Sequence, residues 1–308
     1  MEYSYTEITK LTSIPDIRML LIKVALKKSS YHALEFSNVT LPSNILYFDG
    51  LTINADVSKP FHQLVCWDPI SEFVHPCYLH SLAFPLHIML LLLPEFVFPL
   101  LGLVHVSNQI RQLRPIKKNE RLIVSSCFGE LELHPKGWLF SIKVEFHSGP
   151  ELVWQSTSTN LFRVKHDYND YPIAESTLPS FTHPLNTTWL LNSSLGRQYA
   201  KVSGDFNPIH LTKWVARLFG FKQHIIHGML TKSYCISTLQ KITPSLLLNA
   251  FEVNTTFKQP VYLPSEVMLS VQPDASDSFL NERHFKLVGK QVNLQQQPLH
   301  IIGSVISI

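Results

Sequence analysis

The chain has 308 residues, a length that typically forms roughly two domains and buries a core without disulfides or metals. Apolar residues make up 45% and charged residues 16% of the sequence, which excludes intrinsic disorder of the whole chain. The net charge of +3 is too small for a dedicated nucleic-acid-binding protein, so no nucleic-acid partner is expected.

The N-terminus and the cysteines predict an intracellular setting. The first residues, MEYSYTEITKL, contain acidic side chains and lack the apolar core of a secretory signal, so we expect a cytoplasmic protein. The four cysteines form no CxxC pair and are expected to be reduced and packed. No metal ion and no other cofactor is predicted, because the 15 histidines include no HExxH pattern or close ligand cluster.

A long apolar segment, residues 79–104, approaches the length of a transmembrane span. Pro85 and Pro94 would interrupt such a helix, and Glu95 would have to enter the hydrocarbon. We therefore predict a buried helix over residues 79–93 of a globular domain and no membrane span.

The segments around this helix candidate follow one plan in both halves of the chain. Strand-like segments rich in β-branched and aromatic residues lie at 122–126, 138–146 and 151–157. In the second half, a helix candidate at 228–242 precedes strand-like segments at 250–257, 266–272, 283–288 and 299–307.

The spacing of matching residues indicates an internal repeat. His80 and Pro115 are 35 residues apart, and His227 and Pro260 are 33 residues apart. Two similar units are therefore predicted, each a helix followed by antiparallel strands, with coincidental spacing as the alternative. The predicted boundaries are an N-terminal domain at 1–157, a linker rich in polar residues and proline at 158–186, and a C-terminal domain at 187–308.

The stretch from residue 199 to residue 210, YAKVSGDFNPIH, carries the chemistry. Asn207 is a good N-cap, which predicts a helix from Pro208 to Phe219 with His210 in its first turn and Asp205 just outside it. A carboxylate and an imidazole that meet in this way can move two protons in one reaction. The structural alternative is that Asp205 only caps the helix and His210 is a half-buried surface histidine.

A glycine at the start of the second helix candidate adds an oxyanion donor. Gly228 follows the apolar approach Ile225-Ile226-His227. Unpaired N–H groups at a helix start point along the positive end of the helix dipole, and a glycine lets a ligand oxygen come close. This arrangement is typical of a site that stabilises charge on a polarised carbonyl.

Three blocks together resemble the signature of the MaoC-like, R-specific enoyl-CoA hydratases: residues 205–210 (DFNPIH), Gly220-Phe221 and His227-Gly228-Met229. In the first half, residues 80–86 (HSLAFPL) and 100–106 (LLGLVHV) resemble the leading, non-catalytic domain of two-domain bacterial members. The resemblance implies an α+β fold of double hot-dog type, in which two antiparallel sheets each wrap around a long central helix.

The same resemblance implies roles for four residues. Asp205 and His210 match the catalytic dyad, and Gly228 matches the backbone donor to the thioester carbonyl. Asn207 matches a residue that shapes the catalytic loop at the substrate. The C-terminal domain would then hold the single active site, because counting back from His80 reaches Ser58 and Gln63 in place of the acid and the histidine. A shifted pair of Asp56 and His62 stays open as an alternative site in the first half.

The activity implied is the reversible hydration of trans-2-enoyl thioesters to (R)-3-hydroxyacyl thioesters, a hydro-lyase reaction of fatty acid metabolism. The substrate would be carried on CoA or acyl carrier protein, and a homodimer is compatible with the resemblance. Two alternatives stay open: a non-catalytic acyl-thioester-binding or scaffold subunit of a lipid or polyketide pathway, and a hot-dog thioesterase. The sequence also leaves open which of Asp205 and His210 handles which proton.

Overall fold

The fold is built from helices and strands that repeat in the same order along the chain. The computed structural model describes residues 7–31, 39–68, 71–100, 102–164, 181–244, 248–272, 282–290 and 297–308. The elements of the first half are β1 (Glu7–Lys10), α1 (Ile17–Leu26), β2 (Asn44–Thr52), α2 (Ala55–Leu64), α3 (Pro76–Leu92), β3 (Val104–Gln112), β4 (Arg121–His134), β5 (Gly137–Ser148) and β6 (Glu151–Arg163). Those of the second half are β7 (Leu185–Leu191), α4 (Leu195–Ser203), a 3₁₀ turn (Pro208–His210), α5 (Lys213–Leu218), α6 (Gly228–Ile242), β8 (Phe251–Phe257), β9 (Ser265–Val271), β10 (Glu282–Gly289) and β11 (Leu299–Ser307).

The strand order is the same in the two halves. It is β2-β4-β5-β6-β3 in the first half and β7-β9-β10-β11-β8 in the second, with antiparallel neighbours throughout. The short strand β1 adds a parallel edge to β2. Each half therefore repeats one topology, as the spacing of the sequence predicts.

The two antiparallel sheets of the predicted double hot-dog join edge to edge into one continuous sheet. Residues 107–112 of β3 pair antiparallel with residues 251–256 of β8, which joins the halves into a sheet of eleven strands within the described residues. The pairing satisfies the backbone N–H and C=O groups that both strands would otherwise expose at their edges.

The helix predicted over residues 79–93 is present as α3, which begins at Pro76. His75 caps it, since its Nδ1 accepts a hydrogen bond from the backbone N–H of Cys77 at 3.0 Å. Pro76 occupies the first helical position, where a proline is favoured. In the described part of the chain, no helix is both long and apolar enough to cross a membrane.

The helices α3 and α6 pack together in the core that both halves share. His75 is fully buried, and its Nε2 lies 3.2 Å from the carbonyl oxygen of Ser233 in α6. Because its Nδ1 already accepts a hydrogen bond, Nε2 carries the proton and donates it to that carbonyl. This contact ties the start of α3 to the middle of α6.

A buried lysine of α6 holds the seam between β3 and β8. The Nζ of Lys232 donates to the carbonyl and side-chain oxygens of Asn108 at 2.8 and 2.6 Å, and to the carbonyl oxygen of Val253 at 3.3 Å. Asn108 lies in β3 and Val253 lies in β8, so one side chain binds both halves. Burial lowers the pKa of Lys232 to about 7.

The segment after Asn207 differs from the predicted single helix. A 3₁₀ turn covers Pro208–His210, and α5 begins only at Lys213. Thr212 adopts an extended conformation between them, and its hydroxyl accepts a hydrogen bond from the N–H of Val215 at 3.4 Å. The helix is therefore broken by a second N-cap, which leaves His210 in its own tight turn.

The predicted linker at 158–186 overlaps two strands. Strand β6 continues to Arg163 and β7 begins at Leu185, while residues 165–180 of that segment lie outside the described residues. The domain boundaries at 157 and 187 stay a prediction, because the continuous sheet and the shared core leave no gap between the halves.

Replacing Lys232 by methionine should lower the free energy of unfolding by about 2 kcal/mol, because buried oxygens lose their donors. The loss is measured by urea denaturation. Lys241→Met, at an exposed position of the same helix, is the matched control and should change stability little. Equal stability of the two variants would show that Lys232 does not hold the seam.

Candidate functional site

The position of Asp205 is set by the end of α4. Gly204 adopts the left-handed conformation, with φ of 78°, and its N–H donates to the carbonyl oxygen of Ala200 at 2.9 Å. The next N–H, that of Asp205, donates to the hydroxyl of Ser203 at 3.2 Å. The chain therefore leaves the helix in a fixed direction and carries the carboxylate of Asp205 with it.

Asn207 shapes the loop between the carboxylate and the imidazole. Its N–H donates to Oδ1 of Asp205 at 3.1 Å, and its carbonyl oxygen accepts from the N–H of His210 at 3.0 Å. Its side-chain oxygen accepts from the N–H of Ile209 at 3.4 Å. These contacts place Asn207 in the turn, while its contact with substrate stays a prediction.

The orientation of His210 is fixed by the backbone of Ile225. The Nδ1 of His210 lies 2.8 Å from the carbonyl oxygen of Ile225, and the N–H of Ile225 donates to the carbonyl oxygen of Ile209 at 3.1 Å. A carbonyl oxygen only accepts, so Nδ1 carries the proton and Nε2 keeps a free lone pair. His210 is thus held as a neutral imidazole that can accept a proton at Nε2.

A second histidine, which the sequence analysis did not assign to the site, completes the cluster. The ring of His227 stacks on that of His210 with centroids 3.7 Å apart. Its Nε2 lies 2.9 Å from the carbonyl oxygen of Asp205 and 3.9 Å from Oδ2 of that residue. The position of His227 before the glycine of a helix start was visible in the sequence, but the direction of its ring depends on the fold.

Burial sets the charge state of these groups. Desolvation raises the pKa of Asp205, and the nearby His210 lowers it in part. Desolvation lowers the pKa of His210, which Asp205 and the Ile225 carbonyl raise in part. His227 is 2% exposed, and burial followed by the neighbouring His210 lowers its pKa well below the usual value. The site therefore favours neutral imidazoles at neutral pH.

Gly228 stands at the first position of α6, beside this cluster. His227 is the N-cap residue and its side chain makes no capping hydrogen bond, so the first N–H groups of the helix lack a side-chain acceptor from that residue. A Cβ at position 228 would lie 2.9 Å from Cε1 of Phe257. Glycine is therefore needed for packing against Phe257, and its role as a donor to a ligand oxygen stays a prediction.

A cavity of about 440 Å³ opens onto these groups. Residues of the second half that line it include Asp205, His210, His227 and Gly228. Its other wall is formed by the first half, through side chains of α1, α3 and the strands β3, β5 and β6. The residues that the sequence places on the catalytic loop and at the helix start thus face one space.

The donor atoms of Asp205, His210 and His227 lie within 4.8 Å of one another, and they form the one group of this kind in the described part of the chain. The sequence analysis found no close ligand cluster, since His227 enters only through the fold. One nitrogen of each ring is already used for a hydrogen bond to a backbone carbonyl. The other ring nitrogens and the carboxylate oxygens are chemically suited to proton transfer and also to binding a metal ion.

The described residues of the first half do not repeat this arrangement. Asp56 and His62 lie six residues apart on α2, so they face different sides of that helix. Asp56 is exposed, whereas His62 is buried and accepts the N–H of His75 at 3.1 Å through Nε2. Within the described residues, the convergence of acid and imidazole belongs to the second half.

Comparisons with known proteins identify the family of the chain. A family model described as MaoC like domain matches residues 177–293. The 3-hydroxyacyl-thioester dehydratase X of Mycobacterium tuberculosis is 28% identical over 194 residues, which cover 63% of this chain and 68% of that protein. The mitochondrial 3-hydroxyacyl-[acyl-carrier-protein] dehydratase of Arabidopsis thaliana is 31% identical over 136 residues, which cover 44% of this chain and 81% of the plant protein. The chain belongs to the MaoC-like dehydratase family.

Solved structures show the same fold for this MaoC-like chain. The crystal structure of HtdX of Mycobacterium tuberculosis matches with a TM-score of 0.68 at 23% identity, over 86% of this chain and 100% of that chain. A second protein of that organism, described as a double hot-dog fold, matches with a TM-score of 0.54 at 11% identity, over 85% and 96% of the two chains. The predicted fold class and family are confirmed, and the named relatives are hydro-lyases, as the sequence predicts.

The close packing of α4 on the loop gives a test of the geometry. A Cβ at Gly196 would overlap the carbonyl oxygen of His210, so Gly196→Ala must displace the imidazole. We expect kcat for an enoyl-CoA to fall about 100-fold, the size typical of a misplaced catalytic group.

The control is Lys201→Ala, at an exposed position of the same helix. Thermal unfolding shows whether each variant is folded before kinetics are compared. A folded Gly196→Ala enzyme as active as Lys201→Ala would mean that the position of His210 is not critical.

Proposed function

We propose that this MaoC-like chain is an enzyme that reversibly hydrates trans-2-enoyl thioesters to (R)-3-hydroxyacyl thioesters. The observation that carries the proposal is the free lone pair of His210 Nε2 beside the carboxylate of Asp205 and the N-terminus of α6. The names of the relatives support acyl thioesters as the substrate class, carried on CoA or acyl carrier protein.

The first step binds one water molecule between two acceptors. Its two O–H groups would donate to Nε2 of His210 and to the carboxylate of Asp205, whose other oxygen, Oδ1, is held by the N–H of Asn207. The water oxygen is then aimed at C3 of the enoyl group. Both acceptors are fixed by backbone hydrogen bonds, so the water is positioned before the substrate arrives.

The reaction then moves one proton from the water to His210 and from His210 to the substrate. As the water oxygen bonds to C3, His210 Nε2 takes the water proton, and the electrons of the C2–C3 double bond move to form the enolate. Negative charge develops on the thioester oxygen, where the N–H of Gly228 stabilises it. The proton on Nε2 then passes to C2, which completes addition of H and OH from the same face and restores the neutral imidazole.

Asp205 and His227 support this cycle from either side of His210. The carboxylate of Asp205 would stabilise the imidazolium that forms during the step, since opposite charges favour each other in a buried site. His227 holds the backbone of Asp205 through its Nε2 and shields one face of the His210 ring. His227 is therefore a positioning residue in this proposal.

The two halves line different parts of the cavity and would therefore have different roles in the reaction. The second half supplies the groups that touch the reacting atoms, as the predicted catalytic domain at 187–308 requires. The first half supplies a wall with apolar side chains from α3, such as Phe84, Ile88 and Leu91. We propose that this wall receives the acyl chain.

The sequence also offers a basic cluster, Arg114, Lys117, Lys118 and Arg121, that could contact the phosphates of the carrier, with a solvated loop as the alternative. Arg114 pairs with Glu120 at 2.6 Å and with Glu151 at 3.1 Å. Arg121 pairs with Asp49 at 3.2 Å, and the Nζ of Lys118 donates to the carbonyl oxygen of Ser71 at 2.6 Å. These partners favour a solvated, internally paired loop.

Asp205→Asn and His210→Ala should each reduce kcat/KM for crotonyl-CoA by about 10²–10⁴-fold, because each removes a positioned acid or base. The rate is followed by loss of the enoyl absorbance. His284→Ala, a half-exposed histidine of β10, is the control and should keep full activity.

The same assay separates the alternatives. Hydration leaves the thioester intact, whereas a thioesterase releases a free thiol that a thiol reagent detects. Turnover by either variant at the rate of the unmodified enzyme would refute the dyad. Tight binding without turnover by the unmodified protein would favour a scaffold subunit.

A further inference from the structure

Three histidines of the first half form a cluster that the proposed reaction does not use. His80 and His87 lie on α3, and His105 lies on β3. The ring centroids of His80 and His87 are 5.1 Å apart, and those of His80 and His105 are 6.0 Å apart in a stacked arrangement. We call this group the α3 histidine cluster.

Each ring has a nitrogen that lacks a partner. The Nδ1 of His80 and the Nε2 atoms of His87 and His105 are shielded from solvent and make no hydrogen bond within the described residues. His80 is 7% exposed and His87 is 5% exposed. An unpaired buried polar atom is unfavourable, so three of them in one cluster indicate a missing hydrogen-bonding partner.

The cluster lies in the cavity of the proposed active site. All three histidines line that cavity, but their unpartnered nitrogens are not themselves exposed to it, so a ligand reaches them only when the rings turn. The ring of His105 is 5.1 Å from the ring of Phe257, and Phe257 packs directly against Gly228. The cluster therefore stands one aromatic ring beyond the predicted carbonyl donor, in the part of the cavity that apolar side chains of α3 also line.

The charge of the cluster limits what it binds. Burial lowers the pKa of His87 to about 3 and that of His105 to about 4. Burial also lowers the pKa of His80 well below its usual value. Neutral imidazoles offer both a lone pair and an N–H, which suits an uncharged group that donates and accepts, rather than a carboxylate.

We infer that the α3 histidine cluster binds a hydroxyl group on the acyl chain, so that the preferred substrates are enoyl thioesters carrying a hydroxyl beyond C3. A hydroxyl both donates and accepts, and it matches either tautomer of each imidazole. The inference rests on the proposed function, because it takes the thioester carbonyl to lie at Gly228. It makes the first half a specificity-determining unit rather than a passive wall.

The test compares pairs of trans-2-enoyl-CoA substrates of equal chain length, one ending in a methyl group and one in a terminal hydroxyl. The unmodified enzyme should prefer the hydroxylated member at one or more chain lengths. His87→Leu should lower the hydroxyl-to-methyl ratio of kcat/KM about tenfold, as expected for the loss of a buried hydrogen bond. His87→Gln places an amide near Nε2 and should restore much of the ratio.

Two further variants keep the test decisive. His105→Leu removes a second member of the cluster from a different element, in case His87→Leu does not fold. His147→Leu removes a histidine at the far end of β5, whose Nε2 lies 4.0 Å from Oε2 of Glu145, and should leave the ratio unchanged.

The inference is overturned if the unmodified enzyme shows no hydroxyl preference at any chain length. It is also overturned if His87→Leu and His105→Leu lower both members of a pair equally, since the cluster would then contact a part common to all substrates. If crotonyl-CoA itself is not hydrated, the proposed function fails. The inference is then judged by calorimetric binding of saturated acyl-CoA pairs, where the same ratio of affinities must fall in His87→Leu.

Discussion

The backbone of Ile225 is the contact on which the candidate site depends. Its carbonyl oxygen fixes the ring of His210, and its N–H holds the carbonyl oxygen of Ile209. Three residues later the chain reaches Gly228 at the start of α6. One short segment therefore determines both where the imidazole lone pair points and where the carbonyl donor stands. Because the same segment pairs with Val261 through Ile226, the second half's loops hold it from both sides.

The seam between the two halves fixes the positions of larger parts of the molecule around the candidate site. Strands β3 and β8 join the sheets, and Lys232 reaches from α6 to both of them. The cavity lies between walls contributed by the two halves, so its shape depends on that junction. A fold that repeats one topology thus places the candidate reacting groups in the second half, while both halves line the cavity around them.

The sequence predicts much of this from local chemistry. The helix at 228–242 is confirmed with the same ends, and its first residue is the glycine that the sequence places there. The buried helix near 79–93 follows from its composition and is also confirmed. The cluster of Asp205 and His210 could be anticipated from a turn that spans five residues. These features depend on residues that are near each other in the chain.

Features that depend on distant residues could not be predicted. The stacking of His227 on His210, the close approach of Gly196 to the His210 backbone and the pairing of β3 with β8 all join segments that only the tertiary fold brings together. The predicted single helix after Asn207 failed because Thr212 caps a new helix more favourably than it continues the old one. The α3 histidine cluster is likewise invisible in a chain with 15 histidines.

The most direct test of the account is the stereochemistry of crotonyl-CoA hydration in D₂O, read from the product by NMR and chiral chromatography. One water molecule held on one face predicts (R)-3-hydroxybutyryl-CoA with deuterium added to C2 from the same face as the new hydroxyl. Addition of the two groups from opposite faces, or without preference for either face, would contradict a single water shared by Asp205 and His210.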